Sequence, residues 1–340
     1  MSAPWRSIVT APRSGSVSES AALVLQKVNV FTQLQDLGRF GAASMGLTQG
    51  GVVDATSARL ANALVDNEPT ALLLEIGLGA VQFRAIGSVT VAVTGAAMPV
   101  FLNGQRYERY QSMQLQHGDQ LEIGYSKAGV RCYLAVGGGF LVTPVLGSCA
   151  TVLREGVGGI NGQPLQSGTA LTVAARPAST TSTVIRLPSV RSVDYQFQLK
   201  AKAMQNIPFV AGAQQAELGA AILARFQQNV YQVQPMSDRM GMRLRGAALP
   251  VASQALLSEG ICLGAIQLPA DGQPIVMLND HQTIGGYPKI GAVTRLGVNA
   301  LGQCRPGNLL RFVEVSQQQA VEQARAHELW LSTLEQQIRG

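Results

Sequence analysis

Residues Leu72 to Val93 read LLLEIGLGAVQFRAIGSVTVAV, and this stretch decides the fold class. Two dense apolar runs, Leu72 to Phe83 and Val89 to Val93, are broken by glycines. Runs of that density are expected of strands covered on both faces. The same texture continues outward. Val24 to Phe31 (VLQKVNVF) partly alternates upstream. Leu121 to Ile123 and Val130 to Val136 (VRCYLAV) continue it downstream and stop at Gly137-Gly138-Gly139. One helix interrupts early: Asp54 is placed to cap it, and Ala58, Ala61, Leu64 and Val65 make its apolar stripe. The glycine-rich stretch from Leu146 to Gly168 reads as a set of turns.

Beyond it the pattern repeats. Gln214 to Gln228 is helical in spacing, with Leu218, Ile222 and Phe226 four apart. Val230 to Val233, Ile261 to Leu268 and Ile275 to Leu278 read as strands. From Ser316 the tail reads as a helix opened by a Ser316/Gln319 capping box, with Val321, Ala324, Leu331, Leu334 and Ile338 on one face. Many short strands and few helices predict a mainly β protein with peripheral α, built as barrels or sandwiches rather than a doubly wound sheet. The expected division is a flexible extension over 1–22, a β-rich domain over 23–173, a linker over 174–192, a second β domain over 193–315 and a terminal helix over 316–340.

Composition narrows the function. The chain has 340 residues, 46% apolar and only 14% charged, which excludes long disordered or coiled-coil stretches. The formal charge is +6, yet only five cations are lysines (Lys27, Lys127, Lys200, Lys202 and Lys289), and no dense basic cluster forms. That fits an anionic ligand and argues against nucleic acid. No apolar run reaches the ~18 residues of a membrane span, and the first 22 residues lack a signal core, so a cytoplasmic location is expected. Cys132, Cys149, Cys262 and Cys304 lie too far apart for a local metal or redox motif and are expected to be buried, reduced thiols. His117, His281 and His327 are equally dispersed, and His327 is expected to be exposed. There is no P-loop, and Gly77-Leu-Gly79-Ala-Val-Gln82 lacks the last glycine of a dinucleotide motif, so it reads as packing.

Three polar clusters remain. In Thr32 to Arg39 (TQLQDLGR), Gln35, Asp36 and Arg39 can bind a polar ligand or staple a turn. In Pro235 to Arg243 (PMSDRMGMR), Arg239 and Arg243, set around Ser237 and Asp238, offer forks for a carboxylate or phosphate, or Asp238 makes a structural ion pair with an arginine. In Asn279 to Lys289 (NDHQTIGGYPK), polar groups emerge at a strand end and suit a small planar amide or urea-like group.

At these clusters the sequence resembles the family that includes the C subunit of 5-oxoprolinase, the biotin-dependent carboxyltransferase domain of urea carboxylase (allophanate hydrolase subunit 2) and KipA. The matching pieces include Thr32 to Arg39, Leu74-Glu75-Ile76, Thr94-Gly95-Ala96, Tyr133 to Gly139, Gly156 to Gly159, Ser237 to Gly241, Gly264 to Pro269 and Asp280 to Ile290. They are collinear over about Lys27 to Gln319. The preceding proline of the family's P-x-x-G-A-x-D is missing at Thr48 to Asp54.

The resemblance implies cyclophilin-like β-barrel subdomains and one component of a cytoplasmic heteromeric hydrolase, active only with its partners. These would be the B subunit (KipI-like) together with the A subunit, in ATP-dependent opening of the 5-oxoproline lactam to glutamate. On that reading Arg239 or Arg243 holds the substrate carboxylate. Gln267 and Gln282 bond the amide, Lys289 stabilises developing charge, and His281 or Asp280 moves a proton. Gln35, Asp36, Arg39, Ser237, Asp238, Asn279 and Tyr287 complete the candidate substrate contacts. A biotin-dependent carboxyltransferase acting on urea or a related amide is the alternative. None of the five lysines stands in a Met-Lys-Met setting, so biotin would sit on a separate carrier. A KipA-type regulatory binding protein is the third reading.

Overall fold

In the computed structural model, which describes residues 21–174, 185–187, 204–214, 218–251 and 257–339, the chain is mainly β with four α-helices among those residues. The first half contributes β1 (Ala22–Lys27), β2 (Thr32–Gln35), β3 (Leu73–Gly77), β4 (Val81–Ile86), β5 (Val89–Gly95), β6 (Val100–Leu102), β7 (Gln105–Tyr107), β8 (Ser112–Leu115), β9 (Gln120–Ile123), β10 (Arg131–Val136) and β11 (Ala170–Thr172). They form a six-stranded sheet, β11-β1-β4-β9-β6-β7, and a five-stranded sheet, β2-β3-β10-β5-β8. Leu25, Phe83 and Leu121 from the first and Leu74, Val91 and Leu134 from the second share one buried cluster. Burying such a face is the main force joining two sheets.

The stretch Leu72 to Val93 supplies β3, β4 and β5, and the turn inside it explains its glycines. Leu78 and Ala80 both hold positive φ, 62° and 65°, around Gly79 at 87°. A Cβ on Gly79 would lie 2.0 Å from the Gly124 carbonyl oxygen, so only glycine fits there. The Gly77/Gly79 pair is therefore a packing feature, as expected. Helix α1 (Ala55–Leu64) is capped by Asp54, whose Oδ1 accepts from Ser57 N at 3.1 Å.

The second half closes on itself. Strands β12 (Gln205–Ala211), β13 (Tyr231–Val233), β14 (Gly241–Arg245), β16 (Ala265–Gln267), β17 (Ile275–Met277), β19 (Lys289–Val293) and β20 (Leu309–Glu314) form a closed barrel, while β15 (Glu259–Gly260) and β18 (Ile284–Gly285) pair beside it. Helix α2 (Ala220–Gln228) buries Phe226 among the barrel aromatics, stacked on Phe312 with ring centres 4.7 Å apart. Two further helices complete the set: the short α3 (Arg295–Leu301) and the long terminal α4 (Gln317–Arg339).

The two halves meet at a seam of buried polar groups. Asp54 Oδ2 accepts from Gln303 Nε2 at 2.8 Å, and Gln303 Oε1 accepts from Val130 N and Arg131 N at 3.0 and 3.1 Å. Glu75, on β3, sits deeper. Its Oε2 accepts from Val53 N at 3.0 Å and from the Tyr133 hydroxyl at 2.9 Å. Its Oε1 accepts from Arg131 Nε at 3.2 Å and from Arg239 Nη1, which arrives from the barrel side. Burial alone would push the Glu75 carboxyl up, but Arg239 and Arg131 hold it below the ordinary range, so it stays charged.

Helix α4 crosses back to the first half. The capping box forms, with Gln319 N donating to Ser316 Oγ at 3.1 Å and Ser316 N to Gln319 Oε1 at 2.8 Å. Only the last part of the expected apolar face is buried: Leu331, Leu334 and Ile338 pack on α1, while Val321 and Ala324 are exposed. The helix runs beside β12 before reaching α1, and its first turns stay exposed. His327 is not the exposed residue expected. It is half-buried, with Nε2 2.8 Å from Thr56 Oγ1, because the helix turns this edge toward α1. Arg59 of α1 binds Glu335 through Nε and Nη2, each at 2.8 Å, and Glu328 through Nη1.

Two further expectations change. Helix α2 begins at Ala220 rather than Gln214, and 215–217 lie outside the described residues. The expected extension and linker also fall largely outside them. Of the linker, 185–187 are described, and Leu187 is buried among the α1 cluster. The cysteines are not uniformly buried: Cys132 and Cys304 are, Cys149 is intermediate and Cys262 is exposed, because it sits in the loop between β15 and β16.

Two measurements check this architecture. A disulfide reagent should label Cys262 first, while Cys132 and Cys304, whose thiols burial pushes up to about 12, react only on unfolding. Glu75→Ala should lower unfolding free energy by ~3–5 kcal/mol in a denaturant titration near neutral pH, because Arg131 loses its carboxylate inside the seam.

Candidate functional site

The Pro235–Arg243 and Asn279–Lys289 clusters lie far apart in sequence, yet the barrel brings them together. Register across β14 and β17 pairs Gly241 with Met277, so the loops beyond those strand ends run side by side. Asp280 N donates to Arg239 O at 2.8 Å and Leu278 N to Met240 O at 2.9 Å. The first-half loop Thr48–Val52 closes against them: Asn279 Nδ2 donates to Gly50 O at 3.2 Å and Val52 O at 3.0 Å. The candidate site is thus shared between the halves.

Arg239 sits at its floor with every nitrogen engaged. Nε and Nη2 make a two-point contact with Asp280, at 2.9 and 3.0 Å, Nη2 also donates to Gly51 O at 2.7 Å, and Nη1 reaches Glu75. A guanidinium held this way by two carboxylates is fixed in place. It differs from the carboxylate-holding role expected of Arg239, because the fork faces the protein's own acids. Burial pushes the Asp280 carboxyl up against the pull of Arg239, so of the two acids sharing this guanidinium Asp280 is the nearer to protonation.

His281 follows directly. It is buried, and its Nδ1 lies 2.7 Å from Gln282 O. A carbonyl can only accept, so Nδ1 carries the proton and Nε2 presents its lone pair. Burial lowers the imidazole below its ordinary value, which keeps it neutral. Two amides flank Gly285 of the same loop. Gln267, on β16, is buried with Nε2 unpaired among the described residues. Seen from Gly285, where a Cβ would stand, Gln267 Nε2 is 2.9 Å away and Gln282 Nε2 3.6 Å, so the two amides converge there. Asn279 Oδ1 is likewise buried with no partner among those residues. An unpaired donor and an unpaired acceptor, both dry, are costly unless something bonds to them.

The other candidates are placed differently. Lys289 Nζ pairs with Glu259 of β15, and its backbone N donates to Gln214 Oε1 at 2.7 Å. Arg243 is exposed on β14 with no side-chain partner among the described residues. Asp238 Oδ1 accepts from Met240 N and Gly241 N at 2.8 and 3.1 Å, and Ser237 Oγ accepts from Arg243 N at 3.0 Å, so both shape the turn. Tyr287 is half exposed.

The Thr32–Arg39 cluster forms a bracket for the glycine-rich loop. Asp36 accepts from Ser148 Oγ at 2.7 Å and Cys149 N at 2.6 Å. Buried Arg39 donates to the carbonyls of Val145, Ser148 and Ala150 at 2.9, 3.3 and 3.2 Å, and Gln35 Nε2 donates to Thr151 O at 2.9 Å. Glu75, Arg131, Tyr133, Thr48 and Arg154 were not singled out from sequence. Glu75 stood inside the Leu74-Glu75-Ile76 match, and a carboxylate in an otherwise apolar strand was the available signal.

Among the described residues no three His, Cys, Asp or Glu gather as a metal would need, and no helix is long and apolar enough to cross a membrane. A cleft of about 100 Å³ lies elsewhere, lined by Met98, Arg106, Arg109 and Lys127.

The fold recurs in known proteins, some of which also share about a third of the sequence. This chain is 33% identical over 303 residues to the C subunit of 5-oxoprolinase from Escherichia coli (strain K12), covering 88% of this chain and 93% of that protein. The crystal structure of TTHA0988 superposes with a TM-score of 0.76 at 31% identity, covering 88% of this chain, which spans only 57% of that one. The K. lactis urea amidolyase shares the fold, with a TM-score of 0.83 at 24% identity, over 94% of this chain and 20% of that enzyme. Residues 45–314 match the carboxyltransferase domain, subdomains A and B, and the chain belongs to that family.

Proposed function

We propose that this protein is the C subunit of a multi-component, ATP-dependent 5-oxoprolinase, opening the 5-oxoproline lactam to glutamate together with its A and B partners. The likeness to the Escherichia coli protein over nearly the whole of both chains supports the assignment. The observation that carries the chemistry is the proton arrangement at His281, where Nδ1 is tied to Gln282 O at 2.7 Å and Nε2 is left basic.

A lactam is a resonance-stabilised amide, so opening it needs an activated water and stabilisation of the oxygen that gains charge. His281 Nε2 takes the proton from the attacking water. Gln267 Nε2, with Gln282, donates to the carbonyl oxygen as it becomes an oxyanion. Asn279 Oδ1 accepts from the ring N–H. The proton held on Nε2 then passes to the leaving nitrogen as the ring C–N bond breaks. Arg239 and Asp280 act as positioning residues beneath this loop, and Lys289 braces its far end through Glu259.

ATP is handled elsewhere in this reading. Nucleotide phosphates favour free helix N-termini; among the described helices those of α1, α3 and α4 are closed by Asp54, Thr294 and the Ser316/Gln319 box, while that of α2 has no side-chain cap. This reading assigns the nucleotide chemistry to the partner subunits. Biotin enters only in the carboxyltransferase alternative, on a separate carrier. Steady 5-oxoproline turnover by the reconstituted, biotin-free complex supports the hydrolase. Turnover that requires a biotinylated carrier supports the alternative, and its absence under both conditions refutes both enzyme readings.

Three outcomes follow within that complex. His281→Gln should cut kcat by ~10²–10⁴-fold. The wild-type acid limb of the pH–rate profile should fall below pH 6.5, because the buried imidazole stays neutral to lower pH than a free one. Gly285→Ala should raise KM roughly tenfold with a smaller effect on kcat, as the new methyl crowds Ile261 and Gln267.

A further inference from the structure

A ring carrying both a lactam and a carboxylate needs a cation as well as amides, and the geometry disqualifies the arginine first expected to supply it. Arg239 faces Asp280 and Glu75, and Lys289 is claimed by Glu259. Arg243 lies on the exposed side of β14. Among the described residues another cation stands against the His281 loop, and it comes from the opposite half of the molecule.

Arg154 stands on the glycine-rich loop with a side chain 42% exposed. Its Nη2 donates to Thr48 Oγ1 at 3.0 Å and to Glu155 Oε1 at 2.9 Å. The same Thr48 oxygen lies 2.9 Å from His281 O and 2.6 Å from Glu155 Oε1. A single hydroxyl therefore touches the guanidinium, its anchoring carboxylate and the backbone of the candidate base. Glu155 is fixed in turn by Thr48 N, at 3.1 and 3.0 Å from its two oxygens. Nη2 is thus anchored, while Nε and Nη1 have no partner among the described residues. Both N–H groups point away from the anchored nitrogen along different edges, so each can donate a single charged hydrogen bond to a second carboxylate. The Arg154 charge is also felt at His281, where it opposes protonation.

We propose that Arg154 is the residue that binds the substrate carboxylate, reaching across the seam over His281 and setting the preference for an acidic lactam. This rests on the lactamase reading above. Thr48 is its positioning residue, because it fixes the guanidinium relative to the base.

The test uses the reconstituted complex and 5-oxoproline. Arg154→Gln should raise KM about 10–100-fold, as expected for loss of charged hydrogen bonds, with kcat changed only a few-fold. Arg154→Lys should recover much of the loss. As a competitive inhibitor, the neutral carboxamide of 5-oxoproline should bind wild type and Arg154→Gln equally. An unchanged KM in Arg154→Gln, or a fall in kcat at constant KM, overturns the assignment while leaving the lactamase reading standing. A wild-type complex without lactam turnover removes that reading and this one with it. Arg154 is exposed and outside the core, so thermal melting of the variants should match wild type.

Discussion

The structure turns on a charged carboxylate, Glu75, enclosed between two β assemblies. A lone ionised carboxylate in so dry a place is strongly disfavoured unless cations and donors surround it. The first half can offer Arg131, Tyr133 and the Val53 amide, and the barrel adds Arg239. Because the acid needs groups from both sides, the halves are tied at a definite place and angle. Arg239 is thereby held, and with it Asp280, whose carboxylate completes the guanidinium's partners. The loop that follows Asp280 contains His281 and Gln282. The fixed end of a buried ion chain thus becomes the floor of the site.

This chain of contacts separates residues that organise from residues that remain available. Arg239, Asp280, Lys289 and Asp36 have their hydrogen-bonding capacity largely spent on the protein itself. Gln267, Asn279 and the outward nitrogen of His281 do not. Small, planar, neutral amides call for that second kind of group: one donor, one acceptor and one base, kept dry so that each contact counts. The cationic end of a substrate pocket tolerates water better, which suits a half-exposed arginine on a loop.

Local features were legible in the sequence. The Asp54 cap, the Ser316/Gln319 box, the strands within Leu72 to Val93 and the turn chemistry at Gly79 all depend on neighbours a few residues away, where spacing is informative. The clustering of Pro235–Arg243 with Asn279–Lys289 was anticipated through resemblance, and the barrel register supplies the cause. Partnerships across long separations were not legible. Nothing in the segment around Arg239 announces that its guanidinium belongs to Glu75, 164 residues away. Lys289 and Glu259 pair through a two-stranded ribbon too short to leave a periodic trace. His327 looked like a surface residue because helical spacing cannot say which neighbour a tail will meet. Arg154 was hidden in a loop whose glycines drew the eye to backbone conformation.

The course of the terminal helix has a consequence for motion. The polypeptide passes between the halves twice, once on the way into the barrel and again when α4 leaves β20 to lie on α1. A module held by one tether can swing; one held at both ends resists rotation about either. Any opening between the halves would have to peel Arg59 away from two glutamates or unwind the last turns of the helix. The protein is thus built as a buckled strap, its two halves fastened at both ends.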